Sequence, residues 1–240
     1  MSIPQVDNHS IGPYMSVTQM MPLPQNTPWG NLGLKSLKIV QRIEHINRRI
    51  RQAYQSFEET HRIKAVAHDF ESLEVEEVIY WIRKSVDEFV QLLYVAEQFH
   101  AKGSYPARIE IDCIGELLKR SDSDLYRMFN RHHAKLRQLN EVGNAYKHSF
   151  LGSELSLVGR DEPVVFSLSA PRNDLANPVQ FNSIRLADFV QHFDELYQFV
   201  RGECVRLLLG PNGEQRAPTS SSVAAPSGNS GGNAGSKSVS

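Results

Sequence analysis

Apolar residues between positions 34 and 67 recur at alternating spacings of four and three, which is the period of one face of an α-helix. The members of this apolar stripe are Ile39, Ile43, Ile46, Ile50, Ala53 and Phe57. The other faces carry basic residues, Lys38, Arg42 and Arg49 among them. At 1.5 Å per residue the helix would be about 50 Å long. The pattern therefore predicts one long amphipathic element.

Further helices follow with the same period. One is predicted from near Ser72 to Lys102, because serine is a good N-cap, acidic residues fill the first turn and glycine follows the end. The stretch IEIDCIGELLKR, residues 109–120, predicts a short helix. The pattern SDSD at residues 121–124 is typical of a capping box. It predicts the start of a long helix that spans residues 125–150.

The apolar period changes to two after this helix. The stretches ELSLVG and VVFSLSA, separated by RDEP, predict an antiparallel β-hairpin at about residues 153–169, and PRNDLANP predicts a loop. A last amphipathic helix is predicted to begin near Asn182 or Ser183 and to end before Gly210. The predicted fold is mainly α: an antiparallel bundle of four to five helices, with a β-hairpin inserted before the last helix.

Composition divides the chain into three parts. Residues 1–33 carry prolines at intervals that forbid a long helix, and residues 211–240 are small, polar and rich in Gly, Ser and Pro. Both ends lack the apolar area that would offset the entropy of ordering them, so both are predicted to be disordered. Residues 34–210 form the predicted helical domain.

The net charge of −1 argues against a protein coated in positive charge for bulk nucleic-acid binding. Residues 35–64 nonetheless hold eight basic residues against three acidic ones, and residues 69–88 hold seven acidic residues against two basic ones, so the second helix is expected to complement the first. The basic face is either solvated or a surface for an anionic partner. Cys113 and Cys204 lie in apolar stretches, which indicates core positions in a cytoplasmic protein. No apolar run is long enough to predict a membrane span.

The candidate chemistry lies on the predicted helix over residues 125–150. Its apolar stripe includes His132, which is interpreted as a core histidine. A neighbouring polar face, which is either simply solvent-exposed or a phosphate site, holds His133, Arg137, Glu141, Asn144 and His148, flanked by Asn140 and Lys147. A zinc site is not expected, because His132 and His133 diverge around the helix and the set of His133, Glu141 and His148 would span about two helical turns at each step. No nucleotide or cofactor signature is present. No cofactor and no metal are therefore predicted.

The stretch LNEVGNAYKHSFL, residues 139–151, closes this long helix ahead of a hairpin and a terminal helix. It resembles the end of the penultimate helix in bacterial HEPN-like helical domains. Catalytic members of that family use an Arg-x4-6-His motif and pair two copies across a dimer. The resemblance implies metal-independent RNA cleavage, in which arginine holds the phosphate and histidine is the general acid or base.

The sequence departs from that motif ahead of His148. The required arginine would fall among residues 141–143, which are Glu, Val and Gly. The catalytic candidates are then His148 with Lys147, Asn144 and Arg137, and lysine would contact phosphate as a point charge. The spacing itself is matched by Arg127 with His132 or His133, and Arg127 with His133 is the alternative pair.

Three functions remain open on these grounds. The first is a non-catalytic HEPN-like protein that acts by association, as a homodimer or with a protein or RNA partner, in bacterial stress or phage defence. The second is a metal-independent endoribonuclease. The third is a structural or adaptor protein whose terminal segments bind partners.

Overall fold

The computed structural model describes residues 3–7, 19–63, 70–148, 161–169 and 180–209. Within these ranges the helices and strands, in chain order, are α1 (Leu32–Ile63), α2 (Phe70–Lys102), α3 (Ile114–Lys119), α4 (Asp124–Met128), α5 (His133–His148), β1 (Val164–Ser169), β2 (Gln180–Arg185) and α6 (Leu186–Leu208). The predicted fold class, a mainly helical bundle with a hairpin before the last helix, is confirmed.

Helix α2 is the central element of the bundle, since it packs against α1, α3, α5 and α6. The predicted apolar stripe of α1 is fully buried against it, and every member of that stripe is at most 5% exposed. Rings of α2 and α6 stack in the same core, where Phe89 and Phe193 are nearly parallel with centroids 6.0 Å apart. The helical spacing of the apolar residues in α1 therefore marks its buried face, as the sequence predicted.

The acidic face of α2 neutralises part of the basic face of α1. Nη1 of Arg42 lies 2.9 Å from a carboxylate oxygen of Glu88, and Nε of Arg49 lies 3.0 Å from Glu77. The expected complementarity of the two helices is confirmed. Because these cations already have carboxylate partners, α1 is a weaker candidate for an anion-binding surface than its sequence suggests.

The long helix predicted over residues 125–150 is interrupted. Helix α4 ends at Met128, a single 3-10 turn covers Asn130–His132, and α5 begins at His133. The N-cap is Ser123, whose Oγ accepts a hydrogen bond from the backbone N–H of Tyr126. The carbonyl oxygen of Tyr126 accepts a hydrogen bond from the backbone N–H of Phe129 at 3.1 Å, and the ring of His133 also contacts that oxygen, at 2.8 Å. This local contact offers a physical reason for the break that periodicity did not reveal.

The hairpin pairs different segments from those predicted. Strand β1 pairs antiparallel with β2 in the register Val164 opposite Arg185, whereas the predicted first strand, residues 154–159, lies outside the described residues. The loop was predicted at residues 171–178, and the last helix was predicted to begin near Asn182 or Ser183. Gln180–Arg185 form β2 instead, residues 181–185 alternate between exposed and half-buried positions, and α6 begins only at Leu186.

Residues 3–7 and 19–31 lie against the bundle, although they fall within the segment that was predicted to be disordered. Val6, Met21 and Leu23 are at most 4% exposed. The amide of Asn47 on α1 pairs with both backbone polar groups of Val6, at 2.9 and 3.0 Å. Part of the N-terminal segment therefore belongs to the core. The predicted tail, residues 211–240, lies outside the described residues.

Candidate functional site

The best-defined polar site joins α2 to α5 through Arg83. This side chain is buried, with 8% of the residue exposed. Its Nη1 donates to the backbone oxygen of Asn140 at 3.0 Å and to Oδ1 of Asn144 at 3.1 Å. The stretch that the sequence singled out on α5 is thus bound by a cation from another helix.

Gly143 makes room for this arginine. A Cβ atom at this position would lie 2.7 Å from Nη1 and 3.0 Å from Cδ of Arg83, both too close for van der Waals contact. The sequence suggested that this glycine permits a close approach, and the approaching group is the Arg83 side chain. Any larger residue at position 143 would displace the guanidinium.

The remainder of the guanidinium is incompletely paired. Nε of Arg83 is buried without a hydrogen-bond partner among the described residues, and it lies 3.8 Å from Oδ2 of Asp87. The other oxygen of Asp87 accepts a hydrogen bond from the backbone N–H of Ile114 at 2.9 Å. Burial raises the pKa of Asp87 above its usual range, and the nearby Arg83 only partly opposes that shift. The carboxylate is therefore a loose partner for this cation.

A cavity of about 50 Å³ adjoins Arg83 between the two helices. It is lined by Glu76, Ile79, Tyr80, Arg83, Gly143, Tyr146 and Lys147. Lys147 and Tyr80 are exposed at this end of the bundle. Burial raises the pKa of Glu76 and of Tyr146. The cavity is thus bordered by two cations, one carboxylate and two phenol rings.

The four catalytic candidates are only partly brought together. Asn144 and Lys147 lie one turn apart on the exposed face of α5, next to Arg83. The side chain of His148, the last residue of α5, lies outside the described part of the structure. Arg137 points toward the other end of the helix, where its Nη2 lies 3.4 Å from the hydroxyl of Tyr126. Ten residues of helix place it roughly 15 Å from Lys147.

The alternative pair makes local contacts. Arg127 binds the carboxylate of Asp124 and the backbone oxygen of Asp122, both at 2.6 Å. A ring nitrogen of His133 contacts the backbone oxygen of Tyr126 at 2.8 Å, and the two rings stack at 3.7 Å. His133 therefore takes part in the junction between α4 and α5, whereas Arg127 pairs with groups at the start of α4.

His132 is buried, as interpreted from its place in the apolar stripe, with 9% of the residue exposed. It lines a cavity of about 20 Å³ between α5 and α6, together with His192 and Lys135. Burial lowers the pKa of both histidines, and Lys135 adds to the shift. Such a volume holds about one water molecule. Among the described residues no group of three His, Cys, Asp or Glu side chains is placed to hold a metal ion.

Arg83 is the functional candidate that sequence reasoning missed. A signal was available, because Ile79, Arg83, Val86 and Val90 follow the spacing of four, three and four that marks the buried face of α2. A charged residue on such a stripe is rarely left unpaired. It could have been recognised as a buried cation, although its partner on α5 could not.

Comparison of the chain with protein-family models, with curated proteins and with solved structures finds no match. None of the described helices has a stretch long and apolar enough to cross a membrane. The functional argument therefore depends on the site itself.

Proposed function

We propose that this protein is a HEPN-like helical module that acts by association, and that it binds RNA without cleaving it. The observation that carries the proposal is the exposed polar face of α5. Arg137, Glu141, Asn144 and Lys147 are all exposed along that face. The arginine and lysine can contact phosphates, and the polar side chains between them suit a wet interface.

The contacts of Arg127, His133 and Asn144 support a non-catalytic role. Catalysis by Arg127 and His133 would require Arg127 to leave Asp124 at the start of α4 and His133 to leave the carbonyl oxygen of Tyr126, and both contacts are within 2.8 Å. Asn144 is likewise engaged by Arg83. Groups that stabilise the fold in this way are poorly suited to exchanging protons with a substrate. Binding requires no such release.

The association proposal also includes a homodimer and a cytoplasmic role in bacterial stress or phage defence, both taken from the HEPN-like resemblance. Light scattering on the full chain measures the first of these directly. A mass of twice 27.1 kDa is expected. A strict monomer across micromolar concentrations would remove the dimer from the proposal and leave the RNA partner to be tested separately.

The central experiment incubates the full chain with mixed RNA in EDTA. Fluorescence anisotropy measures binding over a salt series, and a denaturing gel measures RNA integrity. Retention that weakens with salt, because counterions compete for phosphate contacts, is expected together with intact RNA. Absence of binding at low salt would refute the proposal.

An endoribonuclease is the second candidate, and one observation favours it. Arg83 brings a guanidinium to Asn144, beside the part of α5 where the sequence has no arginine ahead of His148. An arginine from α2 could then hold the phosphate for a histidine on α5. RNA cleavage that persists in EDTA and is lost in His148→Ala would establish this function in place of simple binding.

A further inference from the structure

The guanidinium of Arg83 has more hydrogen-bonding capacity than its neighbours use. Both of its hydrogen bonds to described groups are made by Nη1. Among the described residues the Nε–H is buried and has no hydrogen-bond partner, and Oδ2 of Asp87 lies 3.8 Å from it. A buried charge with unsatisfied donors is costly unless a counter-charge completes it. The arrangement therefore lacks an acceptor beside Nε.

A cavity adjoins the Arg83 side chain and has room for an anion. Its volume of about 50 Å³ corresponds to roughly four water molecules, which is comparable to one phosphate group. Lys147 borders the same cavity and adds a second cation. Among the lining residues Glu76 is the one carboxylate, so the cationic side chains outnumber it.

We propose that the cavity between α2 and α5 is an oxyanion site that binds one phosphate group, with Arg83 as its buried anchor and Lys147 at its rim. The planar guanidinium offers neighbouring N–H donors in the fork geometry that matches two phosphate oxygens. The bonds from Nη1 to α5 fix the plane of the guanidinium before the ligand arrives, so less entropy is lost on binding. Gly143 is part of the site because it allows this placement.

This inference rests on the proposed function only for the source of the phosphate. An internal phosphodiester of RNA and a terminal or free phosphate present the same oxyanion chemistry. Tyr80, which is 46% exposed, lines the cavity, and bases of RNA commonly stack on such exposed aromatic rings. The two sources are distinguished by experiment.

The test uses the full chain and isothermal titration calorimetry in a phosphate-free buffer. The titrants are inorganic phosphate and one short RNA with either a 5′-phosphate or a 5′-hydroxyl. The variants are Arg83→Gln and Lys147→Gln, and Lys84→Gln is the matched control. Lys84 is the next residue on α2, is exposed, and lies 5.8 Å from the ring centroid of Trp81, away from the cavity lining.

Arg83→Gln is expected to weaken phosphate and RNA binding by at least about tenfold, because a charge-assisted pair of bonds is lost. Lys147→Gln is expected to weaken binding by about threefold, since an exposed cation contributes less. Lys84→Gln should leave both affinities within about twofold. Equal affinity for the two RNA forms identifies an internal phosphodiester as the ligand, and preference for the 5′-phosphate identifies a terminal one; either result supports the site.

The inference is overturned if wild-type protein and both cavity variants bind phosphate and RNA equally, or if phosphate does not bind at millimolar concentration. Lys147→Gln decides the matter if Arg83→Gln fails to fold, because Lys147 is exposed. RNA binding that neither cavity variant changes would leave the proposed function in place and remove this site. If the protein binds phosphate but not RNA, and Arg83→Gln abolishes phosphate binding, the site is supported and the proposed RNA binding is refuted.

Discussion

Nη1 of Arg83 lies 3.1 Å from Oδ1 of Asn144, and this hydrogen bond joins the middle of α2 to the last turns of α5. The two residues are 61 positions apart in the chain. Gly143 is the reason that the bond can form, since any side chain there would overlap the guanidinium. The bond therefore depends on three residues from two helices.

Gly143→Ala tests that dependence without removing a charge. Alanine gains about 1 kcal/mol in helix propensity, but crowding a packed site costs about 1–3 kcal/mol. We expect a net loss of about 1 kcal/mol in the free energy of unfolding, measured with urea. Phosphate affinity should fall in the same variant because the guanidinium moves.

Gly202→Ala is the matched control. Gly202 also lies inside a helix, α6, but a Cβ atom there would meet nothing within 4 Å. This variant should be stabilised by about 0.5–1 kcal/mol, because only the backbone entropy term changes. Equal stabilisation of the two alanine variants would contradict this prediction, because it would show that the Arg83 side chain moves aside without any loss in the free energy of unfolding.

Glu88, which joins α2 to α1, is expected to contribute more to the free energy of unfolding than a carboxylate in an exposed ion pair. Glu88 holds Arg42 with both carboxylate oxygens, at 2.9 and 3.1 Å, and both side chains are less than 20% exposed. Glu88→Gln should reduce the free energy of unfolding by about 1–2 kcal/mol, because a mostly buried cation loses its counter-charge. Urea unfolding at low and high salt measures the loss.

Glu116→Gln provides the comparison. Glu116 pairs with Lys119 at 2.8 Å, but that lysine side chain is 71% exposed. The expected change is below about 0.5 kcal/mol, as for most surface ion pairs. A similar loss in both glutamine variants would mean that the contact between α1 and α2 gains nothing from burial.

The helical stripes were predictable from sequence because burial imposes their period. Ile39 and Ile50 of α1, for example, are buried where the spacing predicted. The polar face of α5 was predictable for the same reason, since Glu141 and Lys147 lie on the side of the helix that is not packed and are exposed. In each case the information lies within one helix.

The parts that could not be predicted depend on contacts between distant segments. The sequence alone does not show that Arg83 contacts Asn144, and so the site predicted on α5 did not include this arginine. Strand β2 was missed because the partner of Val164 is Arg185, in a polar stretch that resembles a helix start. Val6 was assigned to a disordered segment, and its order depends on Asn47, a single polar residue on another element.

Asn47→Ala should release the N-terminal segment. Asn47 is 5% exposed, and its amide pairs with both the N–H and the C=O of Val6. Removing it leaves two buried backbone groups unpaired, at a cost of about 2–4 kcal/mol. Limited proteolysis should then cleave near Val6 faster, and urea unfolding should show the loss. Gln41→Ala, at an exposed position of the same helix, should change neither measurement.

The cavity between α5 and α6 predicts a loss of stability in mild acid. Burial lowers the pKa of His132 and of His192, and Lys135 adds to both shifts. The unfolded chain therefore binds protons more readily than the folded one. Above about pH 6.5, the ordinary pKa of histidine, both rings are neutral in the folded and the unfolded state, so they do not change the free energy of unfolding with pH. As the pH falls from there through the folded-state pKa values, the folded state loses stability.

His132→Phe should reduce this pH dependence. Phenylalanine keeps a planar ring against Phe199, whose centroid lies 4.8 Å from that of His132, and removes one titrating group. The difference in the free energy of unfolding between pH 7.5 and pH 5, measured with urea, should be smaller in this variant than in wild type. His100→Gln, at an exposed position near the end of α2, should keep the wild-type difference. If all three proteins lose equal stability on acidification, His132 is not the source of that loss.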